Sequence, residues 1–97
     1  MMENDENKKG CSITVYGFVQ GVGYRYYAVK TAAHFHIGGW VRNNRDGSVE
    51  IECEGDADDI KSFVELLKQG PSYARVTSTD VQMKQYQGIY SGFSIEY

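Results

Sequence analysis

Hydrophobic and polar positions first alternate along Cys11-Ser12-Ile13-Thr14-Val15-Tyr16, putting Cys11, Ile13 and Val15 on one side, the period-two signature of a half-buried strand. A glycine-rich stretch, Gly17-Phe18-Val19-Gln20-Gly21-Val22-Gly23, follows, and a strand is not expected to continue through it. From Tyr24 to Phe35 the spacing of Ala28, Ala32 and Phe35 turns helical. Gly39 to Arg42 and Ser48 to Cys53 read as strands joined by Asn43-Asn44-Arg45-Asp46-Gly47, whose Asp-Gly ending signals a hairpin. Asp56 is placed to cap a second helix with Ile60, Phe63, Val64 and Leu67 on one stripe, and Gly70-Pro71 ends that helix. Val76 to Met83 is predicted as a fourth strand and Phe93 to Tyr97 as a short fifth.

The order β-α-β-β-α-β predicts an α+β, ferredoxin-like (split βαβ) sandwich, with an antiparallel sheet of four to five strands and two helices on one face. Its length of 97 residues suits one small domain, expected over residues 10–97 behind a frayed polar tail at 1–9. Hydrophobic residues make up 41% and charged residues 24%, an ordinary balance for a globular chain. Ten basic against 13 acidic residues leave a net charge of −3, which argues against a nucleic-acid binder relying on bulk positive charge. No apolar run approaches the roughly 20 residues of a membrane span, and the polar start does not resemble a secretory signal. The expectation is a cytoplasmic monomer with no membrane and no nucleic-acid partner.

Candidate chemistry gathers at Gly17 to Arg25. A loop with three glycines that opens a helix can curve its backbone N–H groups around an anion, and the helix start adds partial positive charge. Glycine allows the tight turning and the close approach that a Cβ would block. Arg25, at the start of the helix, adds a planar cation suited to gripping two phosphate oxygens. Two familiar phosphate motifs fail here. Tyr26 occupies the third glycine position of the dinucleotide fingerprint, and Val22 breaks the P-loop spacing after Gly17. On these residues alone, a β–α turn that binds nothing stays open.

Gly17-Phe18-Val19-Gln20-Gly21-Val22-Gly23-Tyr24-Arg25, followed 18 positions after the arginine by Asn43 in Gly39-Trp40-Val41-Arg42-Asn43, resembles the acylphosphatase family. The likeness continues through Asp46-Gly47-Ser48-Val49-Glu50 and Gly55 to Gly70-Pro71. It implies hydrolysis of the carboxyl–phosphate bond of a small acyl phosphate, without metal or cofactor, and a ferredoxin-like fold. The resemblance puts the phosphate-binding arginine at Arg25, cradle amides at Gln20, Gly21, Val22, Gly23, Tyr24 and Arg25, and the water-orienting asparagine at Asn43. Asn44 is the neighbour that competes for the water role, and hairpin geometry favours it for the turn instead. His36 departs from the family, which usually has glycine just after the first helix, so the ending of that helix is in question.

An acyl phosphate has a carboxylate leaving group, whose conjugate acid has a pKa of about 4, so it departs without a general acid. Asp46 and Glu50 would repel the substrate, and the expected proton acceptor is the substrate's own phosphate.

Other residues offer competing chemistry. Cys11 and Cys53 share the core parity of adjacent strands, which leaves a disulfide open, while a cytoplasmic setting favours free thiols. His34 and His36 are two apart on a helix and point differently, so a shared metal is not expected. Two further readings remain open: a non-catalytic anion-binding domain of the same fold, and an RNA-stacking sheet using some of the 8 tyrosines and 4 phenylalanines.

Overall fold

The computed structural model describes residues 7–97. Its elements are β1 (Lys8–Phe18), α1 (Tyr24–His34), β2 (Gly38–Asn43), β3 (Val49–Asp56), α2 (Ala57–Gln69), β4 (Arg75–Gln85) and β5 (Phe93–Ile95). The five strands form one sheet in the order β4-β1-β3-β2-β5. The β1/β3, β1/β4 and β2/β3 pairs are antiparallel. One face of the sheet is apolar: Cys11, Ile13, Val15, Val41, Val49, Ile51 and Cys53 are buried there. They join Ala28 and Ala32 of α1 and Ile60, Phe63, Val64 and Leu67 of α2 in one core. Small alanines let α1 lie close to the sheet, while the long apolar stripe of α2 fills the space left over β1 and β3.

The sheet is mixed, not wholly antiparallel as expected, because β5 pairs in parallel with β2, Gly39 opposite Phe93 and Val41 opposite Ile95. β4 lies on one edge, so the chain must cross the end of the molecule and reverse before it reaches the far edge at β2. A buried carboxylate holds that crossing. Glu54 accepts hydrogen bonds from the backbone N–H groups of Gln87 (2.7 Å), Gly88 (3.2 Å) and Ile89 (3.1 Å).

β1 is longer than its apolar pattern indicates. Lys8 and Lys9, expected in a tail, pair with Asp56 and Gly55; residues 1–6 of that tail lie outside the described residues. At its other end the strand continues through Gly17 and Phe18 by way of a register shift against β4. Gly17 has φ 131° there, and a Cβ would stand 2.1 Å from the Arg75 carbonyl oxygen, so only glycine lets the two strands stay paired. Asp56 does precede α2, but its side chain makes no capping hydrogen bond, and Asp58 and Asp59 supply the negative charge of the first turn. Gly70, at φ 71°, ends α2.

α1 ends in a full Schellman turn, with Ile37 N–H bonded to Ala32 O (2.9 Å) and His36 N–H to Ala33 O (3.3 Å). His36 takes the left-handed position, φ 56°. The helix therefore ends as a glycine would end it, with a side chain at a torsion that disfavours one. Cys11 and Cys53 face each other directly across β1 and β3 as buried free thiols. The two facing thiols act on each other, lowering the Cys11 thiol and raising that of Cys53, to which burial also contributes.

Candidate active site

The loop between β1 and α1 is anchored from below. Val19 is buried, and Tyr24 sits under the helix start with its hydroxyl donating to Leu67 O at 2.6 Å. Burial pushes that phenol well above the ordinary tyrosine range, so it stays neutral. Tyr24 thus works as a structural post beneath the loop.

Gly21 and Gly23 hold φ 76° and 81°, and Gly23 is the left-handed cap of α1. A Cβ on either would meet no atom within 4 Å, so their requirement is torsional and not one of space against the protein. With the loop in this shape, the backbone N–H groups from Gly21 to Tyr26 have no acceptor among the described residues; the first one bonded is that of Tyr27, to Gly23 O at 3.0 Å. The first turn of α1 holds no acidic side chain. A run of free donors at a helix start, with no carboxylate to answer it, has the chemistry to accept an anion.

Two side chains complete the site. Arg25 follows the loop directly and is half-buried, with its guanidinium carbon 5.3 Å from the centre of the Tyr97 ring. Asn43 is the last residue of β2, and its Oδ1 is buried without a hydrogen-bond partner among the described residues. Its neighbour is engaged in the turn. Asn44 donates through Nδ2 to Ser48 Oγ (3.0 Å), and its backbone closes the turn with Ser48 and Gly47. Asp46 accepts from both the Ser48 N–H (2.9 Å) and Oγ (2.6 Å), and those bonds hold its carboxyl below the usual range. Glu50 is paired with Arg42 at 3.0 Å.

Gln20 joins the loop to the hairpin. Its Nε2 donates to Asn44 O (2.7 Å) and Ser48 O (2.9 Å), fixing the loop against the turn that follows Asn43. The sequence pattern pointed to Gln20 only through its backbone amide, since a side-chain bond across 24 residues leaves no local signal. Tyr97 was also missed, because only the parallel placement of β5 carries the chain toward Arg25. His34 and His36 border different hollows, the first with Tyr26 and the second with Tyr90. Among the described residues no three His, Cys, Asp or Glu side chains gather as a metal site.

Residues 11–95 match the family model described as Acylphosphatase. The acylphosphatase of Geotalea uraniireducens (strain Rf4) is 39% identical over 85 residues, covering 88% of this chain and 93% of that protein. The crystal structure of acylphosphatase from Bacillus subtilis superposes with TM-score 0.89 at 39% identity, covering 92% of this chain and 99% of that one. An acylphosphatase structure from Coxiella burnetii gives 0.91 at 32% identity, covering 99% and 100%.

Proposed function

This chain belongs to the acylphosphatase family, hydrolysing acyl phosphates, and from that premise we propose how its residues divide the reaction. The phosphoryl group sits in the loop, held by the backbone N–H groups of Gln20, Gly21, Val22, Gly23, Tyr24 and Arg25 and by the Arg25 guanidinium. The observation that carries this reading is the run of backbone donors without acceptors among the described residues at the start of α1, whose first turn holds no acidic side chain. These groups are fixed before substrate arrives, so they stabilise the charge of the transferring phosphoryl group without reorganising.

Asn43 orients the attacking water through its unpartnered Oδ1. A bond forms from the water oxygen to phosphorus while the bond from phosphorus to the acyl oxygen breaks, and its electron pair leaves with the carboxylate. The water's proton passes to a phosphate oxygen. The nearby carboxylates are occupied elsewhere, Asp46 by Ser48 and Glu50 by Arg42, which supports a reaction without a protein base. The leaving carboxylate needs no proton, so positioning and charge neutralisation are enough.

The test is phosphate release from acetyl phosphate by two adjacent variants. Asn43→Ala is expected to lower kcat about 10²–10³-fold with phosphate inhibition little changed, as for loss of one preorganised polar group. Asn44→Ala is expected to lower stability and to retain most turnover per folded molecule. The opposite ranking of turnover would overturn the assignment of Asn43.

A further inference from the structure

Chemistry at the loop concerns the phosphoryl end of the substrate, and the acyl end must lie beside it. α1 presents two flanks there. Arg25, Val29 and Ala33 form the flank toward β5, where Val29 and Ala33 border a hollow with Phe93. Tyr26 and Lys30 lie on the flank toward α2. There a groove of about 540 Å³ runs from Val22 and Gly23 of the loop, past Tyr26 and Lys30, to Leu66 and Pro71. That volume suits a small-molecule site, for which about 300–1,000 Å³ is usual.

We propose that this groove is the acyl subsite, taking a flat apolar acyl group that ends in an anion, with Tyr26 and Lys30 as the residues that select it. The inference rests on the phosphate assignment to the neighbouring loop. Three observations support it. The groove and the phosphate loop share Val22 and Gly23 as a wall, so one ligand reaches both. In-line displacement puts the water and the leaving carboxylate on opposite sides of phosphorus. With the water at Asn43, at the end of β2, the acyl group is directed away from the β2 and β5 side of α1 and toward the α2 flank.

The third observation is the character of the groove itself. Tyr26 is 64% exposed, so its ring is not needed to fill the core. Lys30 Nζ stands 5.3 Å from the centre of that ring and has no carboxylate partner among the described residues. An aromatic surface beside an unneutralised cation fits an apolar body with a distal carboxylate.

The experiment compares kcat/KM for acetyl phosphate, benzoyl phosphate and 4-carboxybenzoyl phosphate. Ratios between substrates do not depend on the folded fraction, so a poorly folding variant still reports. Tyr26→Ala is expected to lower the benzoyl-to-acetyl ratio about tenfold, through KM and not kcat, and Tyr26→Phe to keep it. Lys30→Gln is expected to lower the carboxybenzoyl-to-benzoyl ratio about threefold, the weight of a solvent-facing ion pair. Ratios that stay unchanged in Tyr26→Ala and Lys30→Gln, with all three substrates still hydrolysed, would overturn the acyl subsite alone. Failure of the wild-type chain to hydrolyse any of the three would overturn the phosphate assignment and the subsite with it.

Discussion

Two loops of this molecule expose a run of backbone N–H groups, and they are completed in opposite ways. At residues 87–89 the donors converge on Glu54, a buried carboxylate supplied by the chain itself. At residues 21–26 the donors find no acceptor among the described residues, and the nearest charged side chain in sequence, Arg25, has the donors' own sign. The first loop is satisfied on folding and serves as a clamp on the crossing to β5. In the proposed reaction the second is completed by the phosphoryl group of the substrate. The contrast separates structure from function by a simple criterion: who supplies the negative charge. Glu54 pairs with Gly38 at the start of β2, and Asn43 ends that strand, so the two loops lie at opposite ends of the sheet, roughly 16 Å apart at strand spacing.

The comparison breaks most sharply at Arg25. Arg25→Ala should lower kcat/KM for acetyl phosphate by about 10³–10⁵, the range for a cation acting on a transferring phosphoryl group, and should weaken inhibition by inorganic phosphate. Steady-state phosphate release checks both, and thermal unfolding should move little. Glu54→Ala should do the reverse. It strands donors that bonded a charged group, so urea unfolding should show a loss of about 1.5–3 kcal/mol while turnover per folded molecule stays near wild type. Comparable activity losses in the two variants would erase the distinction.

A smaller effect tests whether torsion alone matters away from either loop. His36→Gly should raise stability by up to about 1 kcal/mol by relieving a left-handed side chain, with kcat unchanged. The smallest effect concerns Asp46, another carboxylate that answers a backbone N–H, that of Ser48. Its pKa is lowered from 3.8 by hydrogen bonds from Ser48, so its contribution is present above that value and is lost as the pH falls below it. Acid titration of hairpin stability should show this loss in the wild type and not in Asp46→Asn.

Much of this division could be read from residue spacing. The alternation at Cys11 to Val15 and the stripe of Ile60, Phe63, Val64 and Leu67 specified a strand and a helix, because burial on one face imposes those periods directly. The glycines of the loop pointed to tight turning, and Gly21 and Gly23 turn there with left-handed torsions. Glu54 gave no such sign. A glutamate in a strand pattern reads as solvent-facing, and its three partners lie more than thirty residues away.

The local pattern of this chain therefore decided its helices, its first four strands, the tight glycine turning of the loop after β1 and the family to which these point. Each depends on torsional preference or burial period within a short stretch. Packing between distant segments decided the rest: the parallel seat of β5, the Gln20 tether, the freedom of Asn43 Oδ1 beside an engaged Asn44, the ring of Tyr97 near Arg25 and the groove along Tyr26. These arise where segments far apart in the chain meet, and no single segment holds the information about what it will touch.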